Sequence, residues 1–418
     1  MKIIRYMRIS VLVLLLVVFA TSGYFLAEAQ AQEKVVKIGV LTTETGNNAD
    51  EGQDVIKGAE LAVEEINESG GVAGYKFKVV VADVGESETD KVKSAFERLV
   101  NKDEVGVIVT GYASLTNFEI ELARQYQMPY MLAGNCTLTY NIISKNPNAY
   151  PTVFSVTPPY FKLETGYAYC TQWIVNKGYF KPMNKKVAII TSDCEYSRHI
   201  TENIRDTFQQ LGWTVPIYEM SPYGKVIEWG AILSKIRKEQ PSVIVFGDYL
   251  LNNAVTFINQ FLVNPTNSMI FVETSPQLDE FKQILGTKSE GFVWHMLGSI
   301  MPSPKYPKGL EWIKKFKEKN GYVPGKYGSA VYDEVYIYAK ALKEVGDPKK
   351  TLEIGNELLN TDYWGTAGHM VMDKATHMPI EGEKYIPYYL CQWQEGKKTL
   401  IFPENFATAT FKKPPWIK

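Results

Sequence analysis

Residues 35–83 read VVKIGVLTTETGNNADEGQDVIKGAELAVEEINESGGVAGYKFKVVVAD. Val35 to Leu41 is nearly all apolar, as a strand covered on both faces requires. After a polar loop, Val55, Ile56, Ala59, Ala62, Val63 and Ile66 recur at helical spacing, which predicts an amphipathic helix from Gln53 to Asn67. Gly70, Gly71 and Gly74 break the chain before a second strand, Phe77 to Ala82. Strand, helix and strand in this order predict a parallel pair joined by a right-handed crossover.

The rhythm continues outward from this stretch. A helical pattern (Val92, Ala95, Phe96, Leu99) leads to a strand from Val105 to Thr110, and a helix from Asn117 to Tyr126 leads to a strand from Tyr130 to Ala133. A short β-rich segment, Val153 to Val156, is closed by Pro158-Pro159, and the alternation then starts again. Helices at Leu163–Val175, Ile200–Leu211, Val226–Lys238 and Asn252–Val263 separate strands at Val187–Thr191, Thr214–Tyr218, Val243–Gly247, Met269–Val272 and Gly291–Met296. The chain is therefore read as α/β, with two units of similar size and parallel sheets, joined near residue 155. Beyond residue 300 come two helices, Lys308–Asn320 and Ser329–Glu344, then hairpin structure from Trp364 to Phe402 with a turn at Glu395-Gly396. Pro403 to Lys418 reads as an extended tail.

Composition sets the outer limits. With 418 residues, 45 basic and 46 acidic side chains, the chain has room for two or three domains and no electrostatic bias toward nucleic acid. Lys2, Arg5 and Arg8 precede an apolar run from Ile9 to Ala20, and small residues end in Ala29-Gln30-Ala31. That order is a secretory signal peptide over residues 1–31, with an uncleaved anchor as the alternative. Its removal leaves 42 basic against 45 acidic side chains and an exported chain, periplasmic or extracellular. Cys136, Cys170, Cys194 and Cys391 form no C-x-x-C pair, and buried free thiols are the expectation.

Motifs for catalysis are missing from the sequence. It contains no G-x-x-x-x-G-K-[ST], H-E-x-x-H, G-x-S-x-G or G-x-G-x-x-G string, and its four His share no metal-ligand spacing. The expectation is a binding protein, not an enzyme, without metal or cofactor. In open parallel sheets ligands collect beyond the carboxyl ends of the strands. There the chain places Thr42 to Asn48, Gly111 to Thr116 with Ser114 and Thr116, and Gly134 to Thr137 with Asn135 and Thr137. Hydroxyls and free N–H groups at helix starts suit an anionic or carbonyl group on a ligand.

The string GAELAVEEINESGGVAG over residues 58–74, Asp83 closing the next strand, and Phe96 to Val100 leading into Val105–Ile108 carry a resemblance. With Tyr332-Asp333-Glu334-Val335 in the late helix, residues 34 to 395 resemble the type I periplasmic binding proteins of the leucine/isoleucine/valine-binding family. The resemblance implies two Rossmann-like lobes joined by a three-strand hinge, with the ligand cleft between them. It implies a discontinuous first lobe, 33–155 plus 300–387, and a second of 156–299 plus 388–418. It also implies substrate capture for an ABC importer with a membrane permease as partner, the ligand being an amino acid of branched-chain type and the receptor a monomer. A ligand-sensing receptor subunit for amides or small carboxylates is the alternative. On this likeness Thr137 and the Ser114 loop hold the ligand's carboxylate, with Leu115 following Ser114 where a second Ser is common. Tyr196, followed here by Ser197 instead of Gly, and Tyr249 cover the ligand. Glu273 pairs with its ammonium group.

Overall fold

The apolar run beginning at Val35 forms the inner strand of a parallel sheet. The computed structural model describes residues 34–46, 49–112, 115–134, 137–225, 227–300 and 302–418. Strands β1 (Lys34–Thr42), β2 (Tyr75–Asp83), β3 (Val107–Thr110), β4 (Tyr130–Leu132) and β5 (Val153–Ser155) lie in the order β2-β1-β3-β4-β5, all parallel. Helices α1 (Ala49–Glu68), α2 (Thr89–Asn101), α3 (Phe118–Tyr126) and α4 (Thr137–Ser144) make the crossovers. Val36, Ile38 and Val40 pack on the α1 side, while Leu41, Val105 and Ile108 pack with α2 and α3. Lobe 1 is built on this sheet.

Lobe 2 repeats the plan. Helix α5 (Phe161–Asn176) enters it, and β6 (Lys186–Ser192), α6 (Glu195–Gln210), β7 (Thr214–Ser221), α7 (Gly230–Glu239), β8 (Val243–Phe246), α8 (Leu251–Val263), β9 (Met269–Val272), α9 (Asp279–Leu285) and β10 (Val293–Met296) follow. The chain then runs through α10 (Pro307–Asn320), α11 (Lys326–Val345) and α12 (Thr351–Leu359). A small antiparallel sheet of β11 (Asp362–Trp364), β12 (His369–Asp373) and β13 (Met378–Pro379) comes next, before the hairpin β14 (Tyr389–Gln394) and β15 (Lys397–Phe402). The second sheet has the order β15-β14-β10-β9-β8-β6-β7, and the returning hairpin pairs antiparallel with β10. Its turn is at Glu395-Gly396, where both residues have positive φ, as a tight hairpin of this twist needs.

The chain passes between the lobes three times: after β5 through Pro158-Pro159, after β10, and between β13 and β14. Helix α11 returns to lobe 1 and lies on α1. Gly58 and Gly328 make that approach possible, because a Cβ on Gly58 would overlap the Gly328 carbonyl. Helices α4, α9 and α12 had not been anticipated, since short helices give too few turns for an apolar period to show. The segment 403–418 has neither helix nor strand but is tied down. Gln392 and Gln394 donate to the carbonyls of Lys412 and Thr410, and the Trp416 indole donates to Ser268 O at 2.9 Å. Cys170, Cys194 and Cys391 are free thiols, the first and last buried; Cys136 lies outside the described residues.

Candidate functional site

Strand β9 ends at Val272, and the next residue, Glu273, is only 1% exposed. Its carboxylate lies 3.0 Å from His295 Nε2 and accepts from the Tyr196 hydroxyl at 3.1 Å. His295 sits on β10, where alternation sends Trp294 and Met296 to the opposite face of the sheet. The other nitrogen of the ring, Nδ1, is 3.2 Å from the Tyr388 hydroxyl at the third crossing. The Tyr167 ring stacks on the imidazole with centroids 3.8 Å apart, and its hydroxyl donates to Val272 O at 3.2 Å. Gly166 leaves the room that Tyr388 fills. Burial pushes the phenols of Tyr167, Tyr196 and Tyr388 well above the usual range, with the Glu273 charge adding to it. These hydroxyls stay protonated and donate. The Tyr196 hydroxyl and the His295 imidazole thus fix one buried carboxylate at the carboxyl end of the sheet.

Aromatic rings extend this wall. Tyr160 meets Tyr196 edge-on at 6.4 Å, Tyr196 meets Tyr249 edge-on at 5.7 Å, and Tyr249 lies 5.9 Å from Tyr223 with their hydroxyls 2.6 Å apart. Lobe 1 contributes Tyr112, bonded through its hydroxyl to Thr43 Oγ1 at 2.7 Å, and Tyr327 at the start of α11, with ring centroids 5.3 Å apart. Burial raises the Tyr327 phenol, and Glu51, Tyr160, Tyr112 and Tyr249 act on it in the same direction. The two walls are therefore within electrostatic reach of each other, and Glu51 on the first turn of α1 acts on both Tyr112 and Tyr249. Tyr112, Tyr327 and Glu51 were not anticipated. Tyr112 stands in the Gly111–Thr116 loop beside the expected hydroxyls, and Glu51 precedes the predicted start of α1; Tyr327 gave no local signal.

Of the expected hydroxyl donors, Thr116 and Thr137 each bond a carboxylate of the chain itself. Ser114 and Asn135 lie outside the described residues. Thr116 Oγ1 donates to Glu119 at 2.8 Å, and Leu115 N donates to the same carboxylate at 2.7 Å, so this hydroxyl organises the entry to α3. Thr137 Oγ1 donates to Glu164 Oε1, which comes from the first turn of α5 in lobe 2 and lies 3.2 Å from His199 Nε2. Tyr196, Tyr249 and Glu273 come together in one wall, while Thr116 faces its own helix. Among the described residues no group of His, Cys, Asp and Glu could hold a metal ion, and no helix is long and apolar enough to cross a membrane.

Residues 35–398 match the model of a family described as periplasmic binding protein. The chain is a periplasmic binding protein. An amino acid binding protein of Pseudomonas aeruginosa is 26% identical over 327 residues, covering 76% of this chain and 81% of the relative. The Leu/Ile/Val-binding protein homolog 1 of Brucella suis is 22% identical over 367 residues, covering 86% and 91%. The branched-chain amino acid transporter substrate binding protein LivJ of Streptococcus pneumoniae, solved with isoleucine, superposes with a TM-score of 0.74 at 23% identity, over 88% of this chain and 100% of that one. A solute binding protein of R. palustris, solved with benzoate, superposes with a TM-score of 0.72 at 17% identity, over 91% and 99%. At these identities the superpositions establish the two-lobed fold, which serves ligands as different as an aliphatic amino acid and an aromatic carboxylate.

Proposed function

We propose that this periplasmic binding protein captures a small amine-bearing solute of the amino-acid class between its lobes and delivers it to the permease of an ABC importer. The observation that carries the reading is the buried Glu273. A carboxylate oriented by His295 and Tyr196, beside the rings of Tyr160 and Tyr249, is chemistry suited to an ammonium group. Relatives named for leucine, isoleucine and valine support an aliphatic substituent. Binding without turnover follows from the family and from a sequence with no nucleophile or metal motif. Lobe extents of 33–155 with 300–387 and of 156–299 with 388–418 accord with α11 lying on α1 and with β14 and β15 joining the second sheet. Export as a monomer with cleavage after Ala31 completes the reading.

A ligand that touches both lobes only when they are closed shifts the population toward the closed form. A thermal-shift screen against amino acids, their amides and simple carboxylates identifies the class. Small-angle scattering with the best hit at saturation then shows a smaller radius of gyration; an unchanged radius counts against a closing clamp. The intact mass of native material begins at Gln32, and a mass retaining the leader supports the anchored form.

The second reading, a receptor subunit for amides or small carboxylates, gains on its amide side from one contact. Glu164 accepts from Thr137, at the place where a ligand carboxylate was expected.

A further inference from the structure

Glu164 crosses from lobe 2 to the start of α4 in lobe 1. Its carboxylate accepts from Thr137 Oγ1, lies 3.2 Å from His199 Nε2, and belongs to a residue only 5% exposed. Thr137 opens an eight-residue helix, and the first turn of a helix leaves N–H groups and positive dipole without an internal partner. At this helix start the Thr137 hydroxyl is already engaged by a carboxyl group of the chain itself.

The cluster also adjoins the tyrosine wall. Glu164 N donates to Tyr160 O, so Glu164 is one turn beyond Tyr160 on α5, as His199 is one turn beyond Tyr196 on α6. Tyr160 and Tyr196 touch edge-on. Phe161 on α5 meets Tyr140 on α4 at 4.9 Å, so the two helices that carry Glu164 and Thr137 are in contact. Thr137, Glu164 and His199 therefore stand at one edge of the surface that presents Tyr160, Tyr196 and Glu273.

We infer that Glu164 fills the anion seat of the cleft and selects a ligand that carries an amine but no carboxylate, an amino-acid amide or a simple amine in place of the free amino acid. The inference rests on the amine-receptor reading above. A ligand carboxylate brought to Thr137 meets the Glu164 carboxylate at hydrogen-bond distance, and like charges that close in a partly desolvated site disfavour each other strongly. A carboxamide has the same shape and the opposite fit, because its NH₂ donates to Glu164 while its carbonyl accepts from a neighbouring donor. Glu273, whose carboxylate accepts from the Tyr196 hydroxyl at 3.1 Å, adds a second acid to the same surface.

The test is calorimetry on the mature full chain with leucine, leucinamide and 3-methylbutylamine, which differ only in carrying carboxylate, carboxamide or hydrogen at one carbon. At pH 7 leucinamide binds at least about tenfold more tightly than leucine. In Glu164→Gln, checked for native circular dichroism, leucine gains and the ratio falls to within about threefold. Wild-type protein that prefers leucine, or a folded Glu164→Gln with an unchanged ratio, overturns the inference and leaves the amine-receptor reading standing. Failure of all three probes and of the wider amine screen overturns both. If Glu164→Gln does not fold, the wild-type ratio decides, with Thr137→Ala as the second variant: loss of the Thr137 bond frees Glu164 to turn away and narrows the ratio.

Discussion

The cleft edges of the two lobes use their acids differently. In lobe 1, carboxylates hold backbone. Asp83 accepts from Glu44 N at 2.9 Å, Thr45 N at 3.2 Å and Gly85 N at 2.9 Å; Asp54 accepts from Gly325 N at 3.2 Å and Gly328 N at 2.9 Å; and Glu119 accepts from Leu115 N at 2.7 Å. In lobe 2, side chains hold side chains: His295 and Tyr196 fix Glu273, Tyr388 fixes His295, and Tyr223 fixes Tyr249. An acid spent on N–H groups shapes a loop. An acid held by a phenol and an imidazole keeps its position in the wall. Substitutions in lobe 1 should therefore act on stability first, and those in lobe 2 on recognition as well.

Glu273→Ala is the severest test of that difference. It leaves the His295 imidazole buried without its carboxylate and removes the proposed ammonium partner. Breaking a buried pair by deleting one member typically costs about 3–5 kcal/mol. Urea unfolding of Glu273→Ala should show a loss of that size, and the tightest amine from the screen should no longer bind measurably. Glu273→Gln, which retains shape and loses charge, should keep more of the stability and little of the binding. A loss in stability below about 1 kcal/mol, with affinity retained, would make Glu273 an ordinary loop carboxylate.

The distribution of these roles explains what could be read in advance. The strands were legible because parallel strands buried on both faces are written as apolar runs, as in Val243–Phe246 and Met269–Val272. The lobe 2 residues Tyr196, Tyr249 and Glu273 were singled out through the family resemblance and not by a local pattern of their own. His295 was read as a lone histidine, since its partner is 22 residues away and pairs with it only when β9 and β10 are neighbours. Thr137 was placed at the helix start where the structure has it, and there its hydroxyl bonds Glu164, a contact the sequence did not suggest. Glu164 lies in the first turn of its helix between Leu163 and Thr165, and nothing local separates a carboxylate that crosses to the other lobe from one that faces solvent.

The next effect in size belongs to lobe 1 and is read through pH. Burial raises the Asp54 carboxyl from 3.8 to about 6, the two backbone N–H groups only partly opposing it. The folded state thus holds a proton on Asp54 at pH values where the unfolded chain has released it. Stability from this group is fully present below pH 4 and is lost as pH rises toward 6, by on the order of 3 kcal/mol. Burial raises Asp333 to about 6 as well, so it acts with the same sign. Unfolding free energies measured at intervals from pH 4 to 7 should fall with pH in the wild type and fall less in Asp54→Asn. Equal slopes would mean that Asp54 is solvated. Thr116→Ala is a smaller test of the same lobe. Its hydroxyl donates to Glu119, so the change should lower stability by about 0.5–2 kcal/mol and leave ligand affinity unchanged. A drop in affinity with unchanged stability would return Thr116 to the binding site.

The smallest effect tests whether lobe 2 is a network or a set of separate rings. Tyr223 and Tyr249 share one hydrogen bond at 2.6 Å, and their rings lie 5.9 Å apart. Tyr223→Phe keeps the ring contact and removes the bond. Both residues are only half-buried, so water replaces part of what is lost, and the cost should be about 0.5–1.5 kcal/mol. Tyr249→Phe should cost a similar amount for the same reason. If the two hydroxyls act on each other, the double variant should cost about as much as either single one, because the shared bond can be lost only once. Affinity for leucinamide should weaken by the same small factor in all three variants, since what the ligand loses is the fixed position of the Tyr249 ring. Additive costs would show that each hydroxyl is satisfied independently. The contrast between the lobes would then narrow to Glu273, His295, Tyr196 and Tyr388, where the partners are buried and water cannot stand in.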